Sequence, residues 1–220
     1  MPIDIEVISH AAPALLQGLK ITATVSAIGI PLRMLIGALF AYMADAQYWL
    51  PRLIARCYVE LVRNVPFLIV VYLLFFGLPQ LGVNASSFVI AIGATAFYTA
   101  GYFSEILRAA LKSVPAGQAR AARSLGFSVW QVQRYVVVPQ SFGYLIPPTT
   151  SLIIMMFKDT AIFSVTSLPE LTYQSNLMTA DTFAYLEVLG TAALLYWLSS
   201  IVLDALGQAL ESRERQWRHR

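Results

Sequence analysis

Residues 64–104, NVPFLIVVYLLFFGLPQLGVNASSFVIAIGATAFYTAGYFS, run for 41 positions without a charge. A helix needs about 20 apolar residues to cross a hydrocarbon core, so this run is long enough for two crossings. The turn-forming residues of GLPQLGVNAS fall at its middle and predict a helical hairpin through a bilayer. Working outward, residues 135–157 form a second uncharged run and predict one further span, and residues 182–203 predict another, with Glu187 near its end. Residues 15–43 complete a set of five, with Lys20 and Arg33 interrupting them. Helices are expected rather than strands, because the runs do not alternate and five strands cannot close a barrel.

Composition points the same way. The chain is 58% hydrophobic and 12% charged, with a mean hydropathy of +0.65, whereas soluble domains carry about 25% charged residues. With the N-terminus outside, 12 of the 15 Lys and Arg fall on the inner side. They are Arg52, Arg56 and Arg63, then Arg108, Lys112, Arg120, Arg123 and Arg134, then Arg213, Arg215, Arg218 and Arg220. The net charge of +3 arises from these loops, so no nucleic-acid partner is implied. The start, MPIDIE, lacks the basic region of a cleaved signal peptide, and the first span is expected to be retained. Cys57 is alone, and His10 and His219 lie at opposite ends. No disulfide, metal site or His-based catalytic pair is therefore expected. No G-x-x-x-x-G-K-[ST] loop occurs, so nucleotide chemistry is placed outside the chain.

Residues 113–140, SVPAGQARAARSLGFSVWQVQRYVVVPQ, form a basic island between apolar runs. A charge at the bilayer centre costs about 3 kcal/mol or more, so Arg120, Arg123 and Arg134 must face water or a partner. Ser113 is expected to cap a helix over residues 115–125, with Pro115 in its first turn and Gly126 as its left-handed stop. Ser128 and Gln131 have capping-box spacing, and Pro139 is expected to kink the helix that re-enters the membrane. Ala119, Ala121 and Ala122 offer a small face for close approach of another surface, and Arg120 and Arg123 suit acidic groups on it. A solvated amphipathic connector is the alternative reading.

The chain resembles the permease subunit of bacterial ABC importers for polar amino acids, from Gly18 to the C-terminus. The motifs that carry the resemblance are Gly117-Gln118 through Ala121-Ala122 to Leu125-Gly126, Arg63-Asn64-Val65-Pro66, Tyr102 to Glu105 with Arg108, Val137-Val138-Pro139-Gln140, Pro147, Lys158-Asp159-Thr160 and Pro169-Glu170-Leu171. The resemblance implies an all-α membrane protein with the type I importer (MetI-like) permease fold, multi-pass in the bacterial cytoplasmic membrane. Its expected layout is a periplasmic segment over 1–14, a membrane domain over 15–212 with a cytoplasmic loop at 108–135, and a basic cytoplasmic tail over 213–220. The resemblance also implies that Gly117, Ala119, Arg120, Ala121, Ala122, Arg123, Leu125, Gly126 and Phe127 form a coupling helix seated on a cytoplasmic ATPase dimer. ATP and Mg would then reside on that partner, with no cofactor and no catalytic residue on this chain. A periplasmic or lipid-anchored amino-acid-binding protein, a second permease copy or related subunit, and membrane lipid complete the implied partners. Two departures stand out. Arg120 replaces the Glu usual before the double Ala, and Ser151-Leu152 replaces an Asn-Glu pair. The second suggests a substrate that is not cationic or recognition by a partner subunit, and together they raise the prospect of a heteromer.

Polar residues within the spans mark a candidate path. Arg33, near the midplane, is expected to face a wet cavity or a carboxylate. Glu105 and Arg108, at i and i+3, are expected to form an ion-pair gate with Arg63 nearby, a static clamp being the alternative. Lys158, Asp159 and Thr160 are expected at an outer span end near the path, with interface anchoring by one ion pair as the alternative. The acids between Asp159 and Asp181 suit contact with a delivering protein. Tyr98, Tyr102, Phe75 and Phe76 are expected to be packing or lipid-facing. Five helices enclose little cavity, so the path is expected between two chains. Against a secondary carrier stands the lack of an internal repeat and of intramembrane carboxylates, and against an intramembrane hydrolase the lack of G-x-S-x-G. A passive channel remains the competing reading on composition.

Overall fold

The computed structural model describes residues 4–218, with side chains as far as Glu214. The side chains of Arg215, Arg218, His219 and Arg220 lie outside the described residues. Among the described residues every regular element is helical. They are α1 (Ile5–Ala44), α2 (Trp49–Asn64), α3 (Phe67–Tyr72), α4 (Ser87–Lys112), α5 (Ala116–Ser124), α6 (Val129–Val132), α7 (Val138–Asp159), α8 (Leu171–Thr182) and α9 (Tyr185–Arg218). Three of these, α1, α4 and α9, are each long and apolar enough to cross a membrane. Two bent pairs bring the number of candidate spans to five.

The first bent pair corrects the even hairpin expected from the uncharged run. Pro66 has no N–H and restricts Val65 to extended geometry (φ −101, ψ 129), so α2 ends there. The chain resumes as Phe67–Leu81, turned by 105° from α2. That segment is short, whereas α4 takes 26 residues. The hairpin turn is also tighter than expected, closing at Gly82 with φ +79. The basic stretch before Pro66, read only as an inner flank, is itself a 16-residue helix.

α1 is 40 residues long, about 60 Å at 1.5 Å per residue, and begins ten residues before the expected span. Its buried positions run from Ala11 to Ala41 at three- and four-residue intervals, most of them small. That stripe lets α4 lie close along it. Gly37 marks the closest approach, since a Cβ there would sit 2.7 Å from the Ala100 carbonyl oxygen. The main apolar core joins α1, α2, α3 and α4 through Val25, Val62, Phe67, Ala94 and Tyr98. Phe67 packs on Tyr98 at 4.7 Å between ring centroids and edge-on to Phe163 at 5.7 Å.

Residues 159–181, expected as an outer loop, are mostly helical. A 3-10 segment (Thr160–Thr166) leads through Ser167, in the left-handed region, to α8. α8 lies on α1 and α9. Glu170, expected to face a delivering protein, is instead wholly buried. Its carboxylate accepts from the Thr172 and Tyr173 N–H groups at 2.9 and 2.7 Å and from the Tyr196 hydroxyl at 3.0 Å. Burial of a carboxylate is tolerated there because the helix start and one phenol satisfy it.

Candidate functional site

The island after α4 folds as a compact bend. Ser113 does not cap α5: it ends α4, and its hydroxyl donates to the Ala109 carbonyl at 2.8 Å. Pro115 occupies the N-cap position instead. Gly126, at φ +88, closes α5, with its N–H bonding the Arg123 carbonyl at 3.0 Å and the Phe127 N–H bonding the Ala122 carbonyl at 3.2 Å. Ser128 and Gln131 form the full capping box at the start of α6. A π turn (Gln133–Val137) then leads into α7, with Pro139 in the first turn. The 53° bend of this long rod falls after Thr166.

Of the three alanines expected to face outward, only Ala121 does so. Ala122 is buried and Ala119 half-buried against Val114, Val132 and Val137, so they seat α5 on its own chain. The surface left open consists of Gly117, Arg120, Ala121, Arg123, Gly126, Phe127 and above all Leu125, at 79% exposure. Leu125 thus stands exposed at the end of α5, with the exposed Arg120 and Arg123 preceding it.

At the ends of α1, α2 and α4, Arg63, Glu105 and Arg108 come together as the sequence suggested. Arg108 grips the Glu105 carboxylate in two-point fashion, Nε at 3.0 Å and Nη2 at 2.7 Å. Lys112 reaches Asp45 at 3.0 Å, tying α4 to the end of α1. A polar cavity of about 500 Å³ lies here, lined by Arg52, Arg56, Arg63, Glu105 and Arg108 among others. A second, apolar cavity of about 400 Å³ lies between α4 and α7, lined by Tyr102, Pro148, Ser151, Leu152 and Met155. Arg63 and Glu105 line both, so the pair stands at the boundary between a charged and an apolar space.

The remaining candidates lie elsewhere. Arg33 is wholly buried, and none of its three guanidinium nitrogens has a hydrogen-bond partner among the described residues. Of the two surroundings expected for it, a wet cavity or a carboxylate, no carboxylate bonds it among the described residues. Thr160 is buried with its hydroxyl donating to the Phe157 carbonyl at 2.7 Å, Asp159 is half-buried and Lys158 exposed. Lys158 and Asp159 form no ion pair, and none of the three lines either cavity. Tyr98, assigned to packing, is buried in the core. Sequence reasoning missed the Glu170–Tyr196 bond and the arginine face of α2. Glu170 follows Pro169 and precedes a polar-apolar stretch, the signature of an acidic N-cap, which was the available signal.

These elements together define a polytopic helical membrane protein with an exposed, arginine-bearing bend at α5. The chain belongs to the family of binding-protein-dependent transport system inner membrane components, whose model matches residues 33–216. The glutamine transport system permease protein GlnP of Escherichia coli (strain K12) is 30% identical over 215 residues, 97% of this chain and 98% of that protein. An amino acid ABC transporter crystal structure, described as solved with histidines, matches with a TM-score of 0.90 and 30% identity, covering 97% of this chain and all of that one. A chain of the MetNI methionine ABC transporter in an inward-facing conformation matches at a TM-score of 0.69 and 20% identity, covering 90% and 96%, which shows the shared MetI-like fold. The chain is accordingly a multi-pass inner membrane component, a permease subunit rather than an enzyme.

Proposed function

We infer that this chain is the transmembrane subunit of an ATP-driven importer for polar, uncharged or acidic amino acids, with glutamine as the first substrate to test. The observation that carries the reading is the bend at α5, closed by Gly126 so that Leu125, Phe127, Arg120 and Arg123 stand clear of the bundle. Such a surface suits a groove on a cytoplasmic ATPase, which holds the ATP and Mg this chain has no loop to bind. The N-terminus is then periplasmic and the C-terminus cytoplasmic. Relatives of nearly the same length named as glutamine permeases support the substrate class, as does the apolar Leu152 at a position where the family resemblance leads one to expect an acid.

The cycle follows from a lever and a gate. Closure of the ATPase dimer moves the docked α5, and α4 and α7, on either side of the bend, change their spacing. Arg63 and Glu105 border both cavities while Arg108 holds the Glu105 carboxylate from the polar one, so parting or rotation of the Glu105–Arg108 pair frees Glu105 at the boundary. A second copy, or a related permease, supplies the other wall of the path. Arg33, buried and without a partner, is a candidate for a substrate carboxylate only if the path widens to reach α1. Lys158, Asp159 and Thr160 stand near the periplasmic mouth. Asp181 remains exposed there for a delivering amino-acid-binding protein. Purified chain reconstituted with its ATPase and binding protein should take up glutamine only with ATP. Uptake without ATP would favour the channel or secondary-carrier reading.

A further inference from the structure

Three faces divide α2. At 3.6 residues per turn, Ala55, Tyr58, Val59 and Val62 share the side buried against the bundle. Trp49, Leu50, Leu53, Ile54 and Leu61 share another side and are all exposed. Between them, Arg52, Arg56 and Arg63 fall within about 40° of one another. All three are exposed, and none has a carboxylate within ion-pair distance among the described residues.

These arginines face the 500 Å³ polar cavity, a volume in the range of small-molecule sites. The cavity also contains three acids. Glu105 is held by Arg108 and Asp45 by Lys112. Glu60 accepts from the Asn64 side-chain amide at 3.0 Å and is the only acid in the lining without a cationic partner. The unpaired balance is cationic. The 105° turn at Val65-Pro66 lays α2 across the direction of Phe67–Leu81, so its exposed apolar side lies along a membrane surface when that segment enters the bilayer. Tyr42, near the end of α1, and Tyr48 and Trp49, at the start of α2, are all exposed, as interfacial aromatics are.

We propose that the cavity between α2 and the ends of α1 and α4 binds the headgroup of an anionic phospholipid, with Arg52, Arg56 and Arg63 holding the phosphate and the exposed apolar side of α2 lying among the acyl chains. An anion at this place sits beside Arg63, which also borders the Glu105–Arg108 pair, so lipid charge is communicated to the pair through that guanidinium. The proposal does not depend on the importer reading.

The test is native mass spectrometry of the purified full chain released from mixed micelles holding equal phosphatidylglycerol and phosphatidylcholine. The wild-type chain retains phosphatidylglycerol preferentially, and Arg52→Gln/Arg56→Gln loses roughly five-fold of that preference per arginine, the change expected for a surface cation on an anionic membrane. Arg52→Lys/Arg56→Lys keeps it, and Arg134→Gln/Arg213→Gln, which removes equal charge elsewhere, leaves it unchanged. Equal retention of the two lipids by wild type, or undiminished preference in the double Gln variant, overturns the proposal. Displacement of phosphatidylglycerol by millimolar glycerol 3-phosphate would assign the site to free phosphate esters and also overturn it. So would a lipid-free dimer joined through α2.

Discussion

The Tyr98 hydroxyl donates to the Val65 carbonyl at 2.9 Å, joining the middle of α4 to the break between α2 and α3. Pro66 forces that break, and the carbonyl before it has no helical N–H to accept from. Tyr98 therefore holds the 105° elbow that sets α2 across the bundle. Tyr98→Phe should lower stability by about 1 kcal/mol, since it leaves a half-buried acceptor unsatisfied. Thermal unfolding in detergent measures this, with Tyr72→Phe, on an exposed ring, as the near-neutral comparison. Equal midpoints for the two variants would remove Tyr98 from the elbow.

Gly126 and Gly117 both have open space around a built Cβ, but only Gly126 has positive φ. Gly126→Ala should cost about 1 kcal/mol through backbone conformation alone, and Gly117→Ala should not. Amide exchange over residues 116–127 reads the difference. Faster exchange is expected only for Gly126→Ala, together with weaker retention of the ATPase on co-purification.

Glu105 and Arg108 are each about one third exposed, so their pair is worth at most about 1 kcal/mol to the fold. Glu105→Gln should leave the unfolding midpoint nearly unchanged while ATP-dependent uptake falls roughly ten-fold, a barrier change of about 1.4 kcal/mol. Normal uptake in this variant would make the pair a static clamp.

Glu170 and Tyr196 join the start of α8 to α9 through a part-buried hydrogen bond of 3.0 Å. In a double-mutant cycle, Glu170→Gln and Tyr196→Phe should show a coupling of about 1–2 kcal/mol in unfolding free energy. Additive losses would mean that the carboxylate rests on the α8 N–H groups alone.

The long apolar helices were legible because lipid demands continuous hydrophobicity, a signal carried by every residue in the run. The bend at α5 was legible from Gly126 and the Ser128–Gln131 spacing, since capping is local chemistry. Two things were not. α2 interleaves its arginines with leucines, and its three faces separate only when wound at helical period, so a count of charges read it as a flank. The inward turn of Ala119 and Ala122 depends on Val132 and Val137, which lie beyond a glycine turn whose direction sequence does not give. Glu170 illustrates the same limit: acids in outer segments are ordinarily solvated, and its burial depends on Tyr196, 26 residues away. Arg63, Glu105 and Arg108 met as read because two of them share one helix and the third precedes a proline break packed against it.

The account turns on the α5 bend as the place where an external motor drives the path. The most direct measurement is ATP-dependent glutamine uptake in proteoliposomes containing the chain, its ATPase and its binding protein, compared between wild type and Leu125→Asp. The account predicts that the wild type transports only with ATP, and that Leu125→Asp inserts and folds normally, fails to retain the ATPase and does not transport. Undiminished ATP-driven uptake by Leu125→Asp, or wild-type uptake without ATP, would contradict it.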